Sequence, residues 1–169
     1  MTHSLNLRLA HWVTAFLMLG MIATGLMYFF EIASKQVISL HQVMGQLLIV
    51  VVACRLIAKA RNTPPSHEQH AMWERVLAGI VQVALYGLII AFLVTGYVSA
   101  SALTSNSLLF PVDLAFARSA TGEAFLNTHY TLKWVLLGLL SLHIAGAMKH
   151  HFIDRDTTLT SIWFRQKGE

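Results

Sequence analysis

The chain has 169 residues, 56% of them hydrophobic and only 12% charged, with a formal net charge of +4. Soluble domains carry about 25% charged residues, so the composition excludes an ordinary water-soluble globule. It points to an all-α integral membrane protein.

The first apolar stretch, Leu9–Phe30, is long enough to cross a bilayer, which takes about 20 residues. It outruns the apolar region of a secretory signal, about 7–15 residues, and no clear small-x-small cleavage site follows. It therefore reads as a retained helix carrying His11. The connection Glu31–Gln36 is short, which predicts an antiparallel pair with the second stretch, Val37–Ala58. That stretch carries His41, Arg55 and the single cysteine, Cys54, which reads as a packing residue.

Lys59 to about Arg75 follows as a polar loop with Pro64-Pro65 and Ser66-His67-Glu68-Gln69-His70. The third stretch, Val76–Ala102, leads into a longer connection, Leu103–Ala124. This opens with Thr104-Ser105-Asn106-Ser107 and continues with Leu108-Leu109-Phe110-Pro111-Val112, too short to span and read as an interfacial cover. The fourth stretch, Phe125–Met148, carries His129 and His143. The whole, residues 1–169, reads as one membrane four-helix bundle, with no internal repeat and no second domain.

Lys and Arg placement predicts orientation. Arg8, Arg55, Lys59, Arg61, Arg75, Lys149, Arg155, Arg165 and Lys167 fall on one side, against Lys35 and Arg118 on the other, with Lys133 just inside the fourth helix. Both termini are therefore expected in the cytoplasm, the chain being multi-pass. Topology accounts for the positive charge, and nothing calls for a nucleic-acid partner.

The histidines carry the functional signal. His129 and His143 are 14 residues apart. That is 40° short of four helical turns, so both face one side, about 21 Å apart in depth. His11 lies just inside the start of the first helix and His41 just inside the start of the second. His41 therefore matches His129 in depth, and His11 matches His143. Bundle cores build cofactor sites from side chains on facing helices in this way. Each pair suits the axial ligands of one haem iron. Two imidazoles saturate the iron, which favours electron transfer over oxygen chemistry. Without C-x-x-C-H, such haems would be held non-covalently.

Two alternatives stay open on the residues. One is that the histidines simply hydrogen-bond between helices, although intramembrane ionisable groups are functional by default. A bare metal site or proton path is less well served, since zinc and copper sites gather three or four ligands and the helices offer no buried carboxylate relay. His150 shares nearly the face of His143 but would lie about 31 Å from His129, beyond the hydrocarbon edge. His150 and His151 belong to the interface, either solvated or exchanging protons with a quinone. His3, His67 and His70 read as surface residues. Arg55, near the inner level, and Lys133, near the outer one, either snorkel to the interface or pair with haem propionates. The glycines Gly20, Gly25, Gly45, Gly79, Gly87, Gly96, Gly138 and Gly146 form no strict G-x-x-x-G pair. They serve helix packing, or, at Gly45 and Gly146, the close approach of a flat macrocycle.

Arg8-Leu9-Ala10-His11-Trp12, Leu40-His41, Cys54-Arg55-Leu56 with Thr63-Pro64-Pro65, His129, Leu142-His143, and His150-His151-Phe152 with Asp154 or Asp156 and Leu159 resemble the prokaryotic cytochrome b561 family over essentially the whole chain. The resemblance implies two haems b, with electrons passing between quinone and a partner. Some members are similar to superoxide oxidases, which reduce ubiquinone with electrons from superoxide. The expected function is accordingly a quinone-linked oxidoreductase working with superoxide or a periplasmic redox partner. Its rivals are a haem-bearing anchor subunit of a respiratory dehydrogenase and a haem-free transporter or structural membrane protein.

Overall fold

The computed structural model describes residues 5–32, 34–61, 71–103 and 114–162. Among them, every regular element is helical: α1 (Leu5–Phe29), α2 (Lys35–Arg61), α3 (Met72–Leu103), α4 (Leu114–Ala117), α5 (Ala120–Phe152) and α6 (Thr158–Ser161). Four of these, α1, α2, α3 and α5, are long and apolar enough to cross a membrane. The interfacial stretch 108–112, the polar run 66–70 with Thr63-Pro64-Pro65, and His3 lie outside the described residues.

The helices run further than their apolar stretches. Helix α5, for example, begins at Ala120 rather than near Phe125 and ends at Phe152 rather than near Met148. Apolar residues mark only the hydrocarbon depth of about 30 Å. A 33-residue helix extends to about 50 Å, so it keeps its backbone bonded through the headgroup zone. Local signals then stop it. The Ser119 side chain accepts from the Gly122 N–H at 3.3 Å, capping the start, and Glu123 sits in the first turn. Lys149, His150 and His151 occupy the last turn, where cations suit the helix dipole. Beyond it Arg155 takes φ 53°, and Asp156 accepts from the Thr158 N–H (2.7 Å) to begin α6.

Packing divides the bundle into two hairpins. Helix α1 packs on α2 and α3 on α5, and the hairpins meet along α2 and α3. Among the described residues, no Cα of α1 or α2 comes within 8 Å of one in α5. Space is therefore left between the α1–α2 face and α5. The dry core, Leu48, Val52 and Ile89 with Leu17, Met18, Met21 and Leu93, lies where α1, α2 and α3 meet. Outward faces such as Phe16, Leu19, Val83 and Ile80 are exposed in the protein alone, as lipid-facing surfaces must be. Cys54 is also exposed, so it lies on that outer surface and not in the packed interior.

The chain start and the C-terminal turn meet at one end. Trp12 Nε1–H donates to the Ile162 carbonyl at 2.8 Å.

Candidate functional site

The four helix histidines converge in two pairs. His41 on α2 faces His129 on α5, ring centres 6.3 Å apart and planes 85° to one another. His11 on α1 faces His143 on α5, with centres 6.5 Å apart and planes at 52°. For a metal about 2.0 Å from each ligand nitrogen, trans imidazole rings would have centres about 6.3 Å apart. Both separations fit one metal between each pair.

The His41–His129 level is built with matching parts from each hairpin. Thr24 on α1 and Thr95 on α3 are both buried. Each hydroxyl donates back along its own helix, Thr24 to the Gly20 carbonyl and Thr95 to the Ala91 carbonyl, both at 2.7 Å. Such back-bonding satisfies a hydroxyl in an apolar helix and leaves its oxygen able to accept. The His41 Nδ1–H then donates to Thr24 Oγ1 (3.2 Å) and the Met21 carbonyl (3.0 Å). The His129 Nδ1–H donates to Thr95 Oγ1 at 3.0 Å, and the Phe92 ring packs edge-on against the same imidazole with centres 4.8 Å apart. With Nδ1 protonated, Nε2 carries the lone pair that a metal needs.

Glycine makes this approach possible. A Cβ on Gly25 would stand 3.2 Å from His41 Cε1, and one on Gly96 only 2.9 Å from His129 Cε1. Gly45 and Gly146 are placed differently: Gly45 faces the Met21 methyl at 3.3 Å, and a Cβ on Gly146 would meet nothing within 4 Å. The imidazoles rest on Gly25 and Gly96, each directly after its threonine. The Thr-Gly pair thus occurs on α1 and again on α3, and a third, Thr121-Gly122, stands in the first turn of α5, so the dipeptide is too short to count as a repeat.

Two cavities flank this level and share His41, His129, Met21, Phe92 and Gly96 in their walls. The larger encloses about 1030 Å³ including its mouth, the smaller about 380 Å³. A planar group standing across the His41–His129 axis would extend into both. Gly45 lines the smaller and Lys133 the larger. Lys133 Nζ lies 3.2 Å from the centre of the Phe29 ring, with Tyr130 and Trp134 at 5.2 and 5.3 Å. The cation is therefore caged by aromatic faces at the cavity wall.

The His11–His143 level is built otherwise. Here the Arg55 guanidinium, a donor only, bonds His11 Nδ1 at 2.9 Å. That makes Nδ1 the acceptor, so the neutral ring carries its proton on Nε2. A metal at His11 Nε2 requires Arg55 to move off Nδ1. Arg55 also lies over Tyr86 at 5.3 Å, and Trp12 packs edge-on against His11 at 5.8 Å.

His150 does not join His129 or His143. Its Nδ1 bonds Asp156 at 2.8 Å and Asp154 at 3.0 Å. Lys149 bridges Glu74 (2.5 Å) and Asp154 (2.8 Å) beside it. His151 packs edge-on against Phe152 at 4.8 Å.

Imidazoles paired across the interior of a membrane-spanning four-helix bundle are the arrangement that a membrane cytochrome b requires. The comparisons agree. The chain matches the prokaryotic cytochrome b561 family over residues 2–165. It is 30% identical over 159 residues to the cytochrome b561 homolog 2 of Escherichia coli strain K12, covering 88% of this chain and 84% of that protein. The chain belongs to the prokaryotic cytochrome b561 family and is a membrane haem b electron-transfer protein.

Proposed function

We propose that the chain holds two haems b, one between His41 and His129 and one between His11 and His143. Between them it exchanges electrons across the inner membrane between a donor or acceptor at the periplasmic face and a quinone such as ubiquinone. The observation that supports this most is the pairing of four histidines at two depths, each pair spaced for one metal. A haem with two imidazole ligands supplies a one-electron couple with no open coordination position.

The chain's own residues supply the rest. Thr24, Thr95, Gly25 and Gly96 fix two imidazoles in the ligating tautomer, and the apolar cavity walls exclude water. Arg55 stands beside His11, ready to meet a propionate once displaced from Nδ1, and Lys133 stands at the rim of the larger cavity for the same purpose. The Lys and Arg distribution sets the ends with the termini in the cytoplasm. There, His150 held by Asp154 and Asp156, with His151 beside it, forms a proton-exchanging cluster suited to a quinone head. At the opposite end Lys133, Lys35 and Arg118 draw an anion such as superoxide, or an acidic redox partner.

The test is an optical spectrum with haem quantification of the purified protein, oxidised and then reduced by a quinol. Two haems per chain, both reduced by quinol, are expected. A colourless protein, or a single haem, would overturn the assignment.

A further inference from the structure

We propose that Thr24 and Thr95 are positioning residues that hold His41 and His129 in the ligating tautomer and thereby set the redox potential of that level alone. The inference rests on the proposed haem between His41 and His129. It goes beyond it by assigning control of the couple to two hydroxyls on helices that carry no ligand at this level.

The geometry is the same on both sides. Each threonine is buried, donates to the carbonyl four residues earlier in its own helix, and presents its oxygen to an imidazole Nδ1 from the other helix of its hairpin. Each is followed by the glycine against which that imidazole rests. The hydroxyl and the missing side chain therefore act together: one fixes which nitrogen carries the proton, the other lets the ring come close enough to be fixed. Accepting a hydrogen bond from Nδ1–H increases the basicity of Nε2, and a more basic ligand favours the ferric over the ferrous state. The hydroxyls thus lower the potential of the level they serve. At the other level the group on His11 Nδ1 is a guanidinium, which cannot accept that bond.

The experiment uses the full-length, haem-loaded protein with Thr24→Val, Thr95→Val and the corresponding serine variants. His41→Ala and His129→Ala first identify the spectral component of this level. Valine keeps the shape of threonine and removes the hydroxyl, whereas serine keeps the hydroxyl. In a redox titration, each valine variant is expected to raise the reduced-to-oxidised ratio of this component about threefold at fixed potential, ~28 mV for a one-electron couple. The low-spin ferric electron paramagnetic resonance signal of the same haem, which reports the angle between the ligand rings, is expected to move as well. The other haem stays where it was, and serine restores the wild-type values.

Unmoved potentials and signals in both valine variants would overturn the role of the hydroxyls while leaving the ligand assignment standing. Equal shifts of both haems would overturn it too. A valine variant that loses this haem counts against the proposal unless serine restores both the haem and its potential. If neither His41→Ala nor His129→Ala removes a component, the ligand assignment itself fails and the inference falls with it.

Discussion

Replacing Gly96 by Ala perturbs the His41–His129 level through one atom. The added Cβ would lie 2.9 Å from His129 Cε1 and 3.3 Å from Nδ1. Carbon atoms in contact sit about 3.5–4.0 Å apart, so the ring must retreat by roughly 0.6 Å or more. A metal bond tolerates about 0.2 Å. The coordination at this level therefore cannot survive unless α3 or α5 shifts, and overpacking of this kind costs about 1–3 kcal/mol. Haem at this level should be held at least about tenfold more weakly, 1.4 kcal/mol or more. Gly25→Ala presents its Cβ at 3.2 Å from His41 Cε1 and needs a smaller retreat, so its effect should be weaker but in the same direction. Gly79→Ala meets nothing within 4 Å and serves as the control. The assay is the haem-to-protein ratio after purification, together with the rate of haem transfer to excess apomyoglobin, resolved into two spectral components. Wild-type haem content and transfer rate in Gly96→Ala, or greater damage from Gly25→Ala, would refute the reasoning.

Haem loss should be level-selective: His41→Ala or His129→Ala should deplete one component, and His11→Ala or His143→Ala the other. Depletion of the same component by His11→Ala and His129→Ala would show the pairing to be wrong. Arg55→Gln removes a positive charge from beside His11, which should lower the potential of the His11–His143 haem and leave the other unmoved in a redox titration; a rise would contradict the placement of the cation. His150→Ala or His151→Ala should slow quinone-coupled turnover at least about tenfold, about 1.4 kcal/mol in the barrier, with both haems kept. Unchanged quinone kinetics in the double variant, with a large loss in Lys133→Ala, would move the quinone to the opposite end.

Four spans and the His pairing were legible because both rest on simple periodicities, the length of an apolar run and the 100° turn of a helix. Helix ends were less legible. Polar residues such as Lys59, Arg61 and Lys149 continue a helix in the headgroup zone, where an apolar count stops. The second layer of the site was less legible still. Gly45 and Gly146 lie one turn from ligands on the same helix, which is where sequence spacing directs attention. The rings lean instead on Gly25 and Gly96, in neighbouring helices whose relative height no single-helix register gives. Thr24 and Thr95 were hidden for the same reason. A threonine in an apolar helix ordinarily bonds its own backbone, and only the packing of α1 on α2 and α3 on α5 shows that each has a second partner.

The two levels differ in what surrounds them. At His41 and His129 the hydrogen-bond partners are neutral acceptors, two hydroxyls and a carbonyl, which favour the oxidised state of a bound iron, while the Lys133 cation stands at the wall of the same cavity. At His11 the neighbour is a guanidinium, whose charge favours the reduced state. On the proposed assignment, the His11–His143 level is the one nearer His150 and the Asp154–Asp156 pair. Protons are taken up when a quinone is reduced, and the carboxylate-bound imidazole there is able to pass them on. The Trp12 hydrogen bond to Ile162 ties the C-terminal turn to the helix that carries His11, so the proton-exchanging cluster and the level nearer to it belong to one packed unit.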